Sequence, residues 1–329
     1  MAMFKALMLT QQDKATQAAF AELDESALPS GDVRVKVEYS SLNYKDALAV
    51  TGRGAIVRSW PMVPGIDLAG VVESSSDPAW QPGDRVVVNG WGLGETNWGG
   101  LAQKASLKAG WLLRLPEGFT TRQAMAVATA GYTAALCVMA LLRHGSRPQD
   151  GEVLVTGATG GVGSVAVALL AGLGFEVTAS TGRPQETDYL QRMGAAHILD
   201  RSSLVAPGKP LQSERWAATV DTVGSQTLAN ALAQTKWNGA VAACGLAGGA
   251  DLPSTVMPFI LRGVTLYGIN CVFQSNAVRE EAWALLARHV KPDQLAGMTH
   301  EVALSDIVQA SNDLLAGRIR GRTVVDVNR

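Results

Sequence analysis

Apolar and polar residues alternate along Val33–Tyr39, the pattern of a strand with one face buried. Gly70–Glu73 and Asp84–Asn89 read the same way, with Pro and Gly turn signals around them. The tract Asn89–Gly100 is rich in Gly, Trp and Asn and reads as a loop. Helical spacing follows at Thr121–Ala128 and Thr133–His144, and Ser146–Gly151 breaks it. From Glu152 the texture changes to strands alternating with helices. Strand-like runs fall at Val153–Thr156, Glu176–Ser180, His197–Leu199, Thr219–Asp221, Val241–Cys244 and Thr265–Ile269. Helical stretches at Val162–Leu173, Glu186–Met193 and Ser225–Gln234 lie between them. The alternation predicts a doubly wound parallel α/β sheet of about six strands. Helices at Ala277–His289 and Ser305–Ala316 lead to a last strand, Thr323–Val327.

The pattern therefore divides the chain into a β-rich amino-terminal domain over 1–124, completed by 300–329, and a dinucleotide-binding domain over 125–299. A length of 329 residues accommodates two such cores. With 47% hydrophobic and 17% charged residues and a net charge of −1, nothing asks for nucleic acid or an anionic membrane surface. Met125–Leu142 is apolar but interrupted by Thr129, Gly131, Tyr132 and Thr133, so it reads as a buried helix rather than a span. Met1–Lys5 lacks a signal-peptide pattern, and a cytoplasmic location is expected. Cys137, Cys244 and Cys271 are widely separated along the chain, with no C-x-x-C pair or Cys/His cluster, which favours buried thiols over a zinc lobe or a disulfide framework.

The stretch Val153–Gly163 carries the clearest chemistry. From Ala158 it reads A-x-G-x-x-G between a strand and an alanine-rich helix. Gly160 and Gly161 let the backbone approach a pyrophosphate, and Gly163 lets the helix pack close to its strand. Free N–H groups at the helix start then face the phosphates, so Thr159, Gly160, Gly161 and Val162 are the expected contacts. About twenty residues on, an NAD site places a carboxylate on the ribose 2′-hydroxyl. This chain has Ser180-Thr181-Gly182-Arg183 there, and hydroxyls with a guanidinium suit a 2′-phosphate. NADPH is the expected cofactor, with Thr181, Gly182 and Arg183 at its 2′-phosphate and Arg201 as a second basic candidate.

Four further landmarks precede the glycines in order: Asn43–Asp46, Pro64–Gly70, Pro82–Val86 and Thr129–Ala134. In this order the chain resembles the medium-chain dehydrogenase/reductase superfamily over its whole length. Within it, Ser41–Asp46, Gly90–Glu95, Trp98–Ala102, Ala243–Gly249 and Leu252–Arg262 resemble the acrylyl-CoA reductase branch, near the quinone oxidoreductases. The resemblance implies a GroES-like β-barrel catalytic domain beside a Rossmann domain, with NADPH as hydride donor. Zinc-dependent alcohol dehydrogenases of the superfamily carry a cysteine and a His-Glu pair where this chain has Asn43, Ile66 and Asp67. No zinc site is expected, because an amide and an alkyl chain cannot replace those ligands.

Reduction of an activated C=C bond, acrylyl-CoA to propionyl-CoA, fits such a site: hydride adds at the β-carbon and a proton at the α-carbon. The resemblance places Tyr44 beside the nicotinamide, orienting substrate and cofactor. Lys45 and Asp46 either donate or relay a proton or serve structure, and a bound water is an equal proton source. Leu246 and Ile260, read as following strands, are expected along the nicotinamide half, where Asn270–Val272 forms a cover. Arg53, Arg58, Arg318, Arg320 and Arg322 are candidates for the CoA diphosphate. Rival readings are an NADPH:quinone or 2-alkenal oxidoreductase, and a non-catalytic protein on the same scaffold. Relatives pair through the sheet edge of the nucleotide domain, so a homodimer through Thr265–Ile269 is expected.

Overall fold

Val33, Val35 and Val37 point into one core because successive strand residues face opposite sides, and all three are fully buried in the strand Val33–Leu42. The computed structural model describes residues 3–329. Met1 and Ala2, the start of the segment read for a leader and of the 1–124 domain, lie outside the described residues. The chain forms two compact units. One runs to Thr129 and includes Val272–Glu280 and Met298–Arg329; the other is Ala130–Cys271 with Glu281–Gly297.

The first unit holds a seven-stranded sheet. Its path runs Thr299–Ala303, Arg322–Asp326, Val33–Leu42, Asp67–Ser75, Arg85–Asn89 and Leu113–Arg114, with Lys104–Leu107 pairing Val33–Leu42 on the side. The last strand thus returns from the carboxyl end to lie against Val33–Leu42, Val325 opposite Ser40. A hairpin of Met3–Gln12 and Ala15–Asp24, absent from the sequence reading, pairs in register from Met3↔Asp24 to Gln12↔Ala15. Gly70 must be glycine, since a Cβ there would sit 2.1 Å from the Lys36 carbonyl oxygen on the neighbouring strand.

The second unit holds a six-stranded parallel sheet in the order His197–Asp200, Val177–Thr181, Val153–Val155, Trp216–Asp221, Thr235–Ala243, Thr265–Gly268. In chain order that is 3-2-1-4-5-6, the doubly wound arrangement whose crevice lies at the carboxyl ends of the central strands. The helix Gly161–Gly172 follows the first of these strands, and Val165 to Leu170 are all buried. The two helices expected at Thr121–Ala128 and Thr133–His144 form one stretch, Thr121–His144, broken at Ala128 (φ 45°, ψ −152°). Its 18-residue apolar window is 83% buried, as a core helix should be.

Candidate active site

The expected catalytic triplet starts a helix, Tyr44–Thr51, that the alternation did not reveal. Ala47, Ala49 and Val50 supply its buried face. Asp46, at the third helical position, accepts from the Asn43 N–H at 2.9 Å, one arm of a capping box. Its other oxygen accepts from the Ile66 N–H at 2.9 Å. Asp46 is 1% exposed. Burial, then the charge of Asp67, pushes its carboxyl up to about 7 against the hydrogen bonds that hold it down. Both oxygens of Asp46 thus accept from backbone N–H groups, and the carboxylate also accepts from Asn43 Nδ2 at 3.1 Å. Tyr44, next to the cap, is 51% exposed. The Lys45 ammonium donates to Glu95 at 2.8 Å, a partner supplied by the Asn89–Gly100 loop.

Sequence reading missed the centre of this arrangement. Asp67, fully buried, accepts from Ser41 Oγ at 2.7 Å, Asn43 Nδ2 at 2.7 Å and Asn89 Nδ2 at 2.7 Å. The Thr129 N–H and hydroxyl complete the set. These partners come from the carboxyl ends of two strands, Val33–Leu42 and Arg85–Asn89, and from the break after Ala128, so the φ of 45° at Ala128 turns Thr129 towards the carboxylate. The only legible signal was the run of polar residues after each strand, which by itself marks a turn.

Arg322 belongs to the same neighbourhood. It is 3% exposed, its Nε donates to the Ala126 carbonyl at 2.9 Å, and the charges of Asp67 and Asp46 offset the burial that lowers its pKa. That corrects its candidacy for the CoA diphosphate: a buried guanidinium balancing two buried carboxylates is not offered to a ligand. Arg318 pairs with Asp313, while Arg53 donates to Asn312 Oδ1 at 3.2 Å from an exposed position.

A zinc ion does not fit here. Asn43 and Ile66 offer an amide and an alkyl group, and the Asp67 oxygens already receive donors from Ser41, Asn43, Asn89 and Thr129.

In the second unit, Gly160 caps the helix Gly161–Gly172, and no side chain caps its first N–H groups. A Cβ on Gly163 would lie 2.3 Å from the Gly157 carbonyl oxygen, so the close approach requires glycine. Thr159 is buried, and Gly160 is exposed. These N–H groups and this bare backbone fit a pyrophosphate. After the next strand, the Thr181 hydroxyl accepts from the Arg183 N–H at 3.0 Å and shapes the turn. Arg201 lies directly against Gly182, where a Cβ would be 2.3 Å from its Nε. Arg183 belongs to that turn and Arg201 packs against it from the end of the strand His197–Asp200, two basic residues that fit a 2′-phosphate.

At the carboxyl end of Trp216–Asp221, Asp221 accepts from Thr156 Oγ1 at 2.7 Å and the Gly224 N–H at 2.8 Å, and burial raises its pKa. Cys244 donates to the Asp221 carbonyl at 3.4 Å. The cysteines, distant in sequence, converge: a hydrogen bond to Cys244, then burial, holds the Cys137 thiol well above its usual pKa. Leu246 follows the strand Thr235–Ala243 and is 64% exposed. Ile260 departs from its expected place. It lies in the helix Met257–Arg262, before the last strand rather than after one, because Arg262 ties the end of that helix to the carbonyls of Gln212, Ala233 and Thr235.

Comparison with known proteins places these features in a family. A model of the alcohol dehydrogenase GroES-like domain matches residues 29–117, and one of the zinc-binding dehydrogenase family matches residues 161–288. Acrylyl-CoA reductase AcuI of Ruegeria pomeroyi is 54% identical over 329 residues, covering 99% of this chain and 100% of that protein. The yhdH oxidoreductase from Salmonella enterica, solved in complex with NADP, superposes with a TM-score of 0.96 at 52% identity, over 98% of this chain and 99% of that one. Bacillus subtilis protein yhfP, solved with NAD bound, gives a TM-score of 0.96 at 41% identity, over 99% and 100%.

Proposed function

We propose, from the premise that this chain belongs to the medium-chain dehydrogenase/reductase superfamily, that it is an NADPH-dependent acrylyl-CoA reductase working without zinc. One observation carries the reading. The position where zinc-dependent members hold a metal is filled by the saturated Asp67 cluster, so the chemistry must proceed by hydride delivery and hydrogen bonding. The 54% identity to an acrylyl-CoA reductase over the whole chain supports that substrate class.

When bound, NADPH supplies the hydride that adds to the β-carbon of the enoyl thioester. The chain's own residues do the rest. Thr159, Gly160, Gly161 and Val162 hold the pyrophosphate through backbone N–H groups. Thr181, Gly182, Arg183 and Arg201 hold the 2′-phosphate. Leu246, exposed after the strand Thr235–Ala243, would border the cofactor. The half-exposed Tyr44 orients substrate and cofactor and offers its hydroxyl to the thioester oxygen, where negative charge develops. Lys45, held by Glu95 and open to solvent, relays a proton that water resupplies towards the α-carbon. Asp46 fixes both by pinning the first turn of their helix.

The same reading takes the protein as a cytoplasmic homodimer with a small-molecule partner. The edge strand Thr265–Gly268 supports pairing, as do the exposed apolar side chains Val256, Ile260 and Leu261 in the segment preceding it. The test uses NADPH carrying deuterium at both C4 positions. Propionyl-CoA carrying deuterium at C3, seen by proton NMR, is the expected product; label absent from C3 contradicts the reading.

A further inference from the structure

Arg279 is the most deeply buried arginine in the first unit, at 1% exposure, and the reaction as derived does not use it. Its three nitrogens reach three different carbonyls. Nη1 donates to Asn89 at 2.8 Å, Nη2 to Val272 at 2.8 Å and Nε to Gln274 at 3.0 Å. Its Cζ lies 4.5 Å from the centroid of the Trp91 ring, and Trp91 stacks on Trp111 at 6.4 Å with 9° between planes. The backbone N–H of Trp91 in turn donates to the Val272 carbonyl at 3.4 Å.

The backbone that this guanidinium holds is strained. Gly90, Trp91 and Gly92 take φ values of 75°, 54° and 72°, and a tryptophan in that region persists only when its surroundings over-determine it. Asn89, immediately before them, donates its side chain to Asp67. On the other side, Val272–Glu280 joins the first unit although its flanking sequence on both sides belongs to the second. One planar fork therefore fixes the Asn89 end of the Asp67 cluster and both Val272 and Gln274. A lysine ammonium, a point donor, cannot span the same three acceptors.

We propose that Arg279 is a positioning residue for hydride transfer, holding Asn89, Trp91 and Val272 in the one geometry that keeps Asn89 on Asp67 and, through Asn43, holds the cap of the helix that carries Tyr44 and Lys45. This rests on the reductase reading. The loss expected on misalignment is in turnover and not in affinity, since misplacement by about 1 Å can cost up to about a hundredfold in rate.

The experiment uses the full-length protein and the variants Arg279→Lys, Asn89→Ala and the double variant, measuring thermal midpoint, NADPH affinity by fluorescence, and kcat and KM for acrylyl-CoA. Arg279→Lys is expected to lower kcat at least about tenfold, with KM and NADPH affinity within about threefold of wild type. Asn89→Ala should show the same signature, and the double variant should lose less than the product of the two single losses, because Arg279 on the Asn89 carbonyl and the Asn89 side chain on Asp67 act in series on one cluster. Unchanged kcat in Arg279→Lys, losses that multiply, or a rise in KM at constant kcat overturns the proposal. Should Arg279→Lys not fold, Asn89→Ala and Trp91→Phe decide: kcat lowered at constant KM supports it, and wild-type kcat in both overturns it. If wild type fails to reduce acrylyl-CoA, the substrate reading falls, and the same kcat ratios taken with crotonaldehyde or benzoquinone still judge Arg279.

Discussion

Around Asp67 the polar groups of the first unit answer one another, four residues donating to one buried carboxylate. At Gly160–Val162, in the second unit, the polar groups are backbone N–H donors at a helix start that no side chain caps. The first arrangement is complete before any ligand arrives; the second is completed by one. Breaking the closed cluster should cost stability, and breaking the open loop or its neighbouring turn should cost affinity, because an unsatisfied buried group penalises the folded state whether or not substrate is present.

The largest effect belongs to Asp67→Ala. Ser41, Asn43, Asn89 and Thr129 would lose a shared acceptor and Arg322 a counter-charge, at a cost of about 3–5 kcal/mol in urea unfolding. A loss below about 1 kcal/mol would mean that the cluster is ornamental to the fold.

Arg183→Ala comes next and separates the two regions cleanly. Removing one charge-assisted contact should raise the KM for NADPH about ten- to a hundredfold and leave NADH kinetics and the unfolding midpoint nearly unchanged. Equal effects on both cofactors would remove Arg183 from the 2′-phosphate. Arg201→Ala, at the other side of Gly182, should act in the same direction.

The smallest effect is a pH dependence. Asp46 titrates near 7 in the fold against 3.8 when free, with Asp67 and Arg322 facing it. Its folded pKa is raised, so its contribution to stability is full below about 4 and is lost as pH rises through about 7. Between pH 5 and pH 8 wild type should lose stability relative to Asp46→Asn, most of it below about pH 7. Asp221, also raised, has the same sign and cancels in that difference. Parallel pH profiles of the two proteins would refute the shift.

The same contrast decides what the sequence reveals. The nucleotide unit is written locally: each strand is a short apolar run, and Gly160, Gly161 and Gly163 stand within one turn. There the reading falters only where the pattern is interrupted. Thr235–Ala243 was read from Val241 onward, because a register shift and the positive φ of Asn238 expose Lys236–Asn238 and break the apolar run. The Asp67 cluster is written at a distance, from Ser41, Asn43, Asn89 and Thr129, each an ordinary polar residue in its own neighbourhood. Arg322 and Arg279 look like surface charges in sequence, and only the partners at Ala126, Asn89 and Val272 explain their burial. Tyr44–Thr51 escaped notice because its buried face is built largely of alanine.

Steady-state rates with NADPH and a panel of acrylyl-CoA, crotonyl-CoA, acrolein and a benzoquinone test the central claim most directly. Zinc-free hydride addition to a short enoyl thioester predicts the highest kcat/KM for acrylyl-CoA, undiminished by a zinc chelator. A clear preference for the free quinone would contradict it.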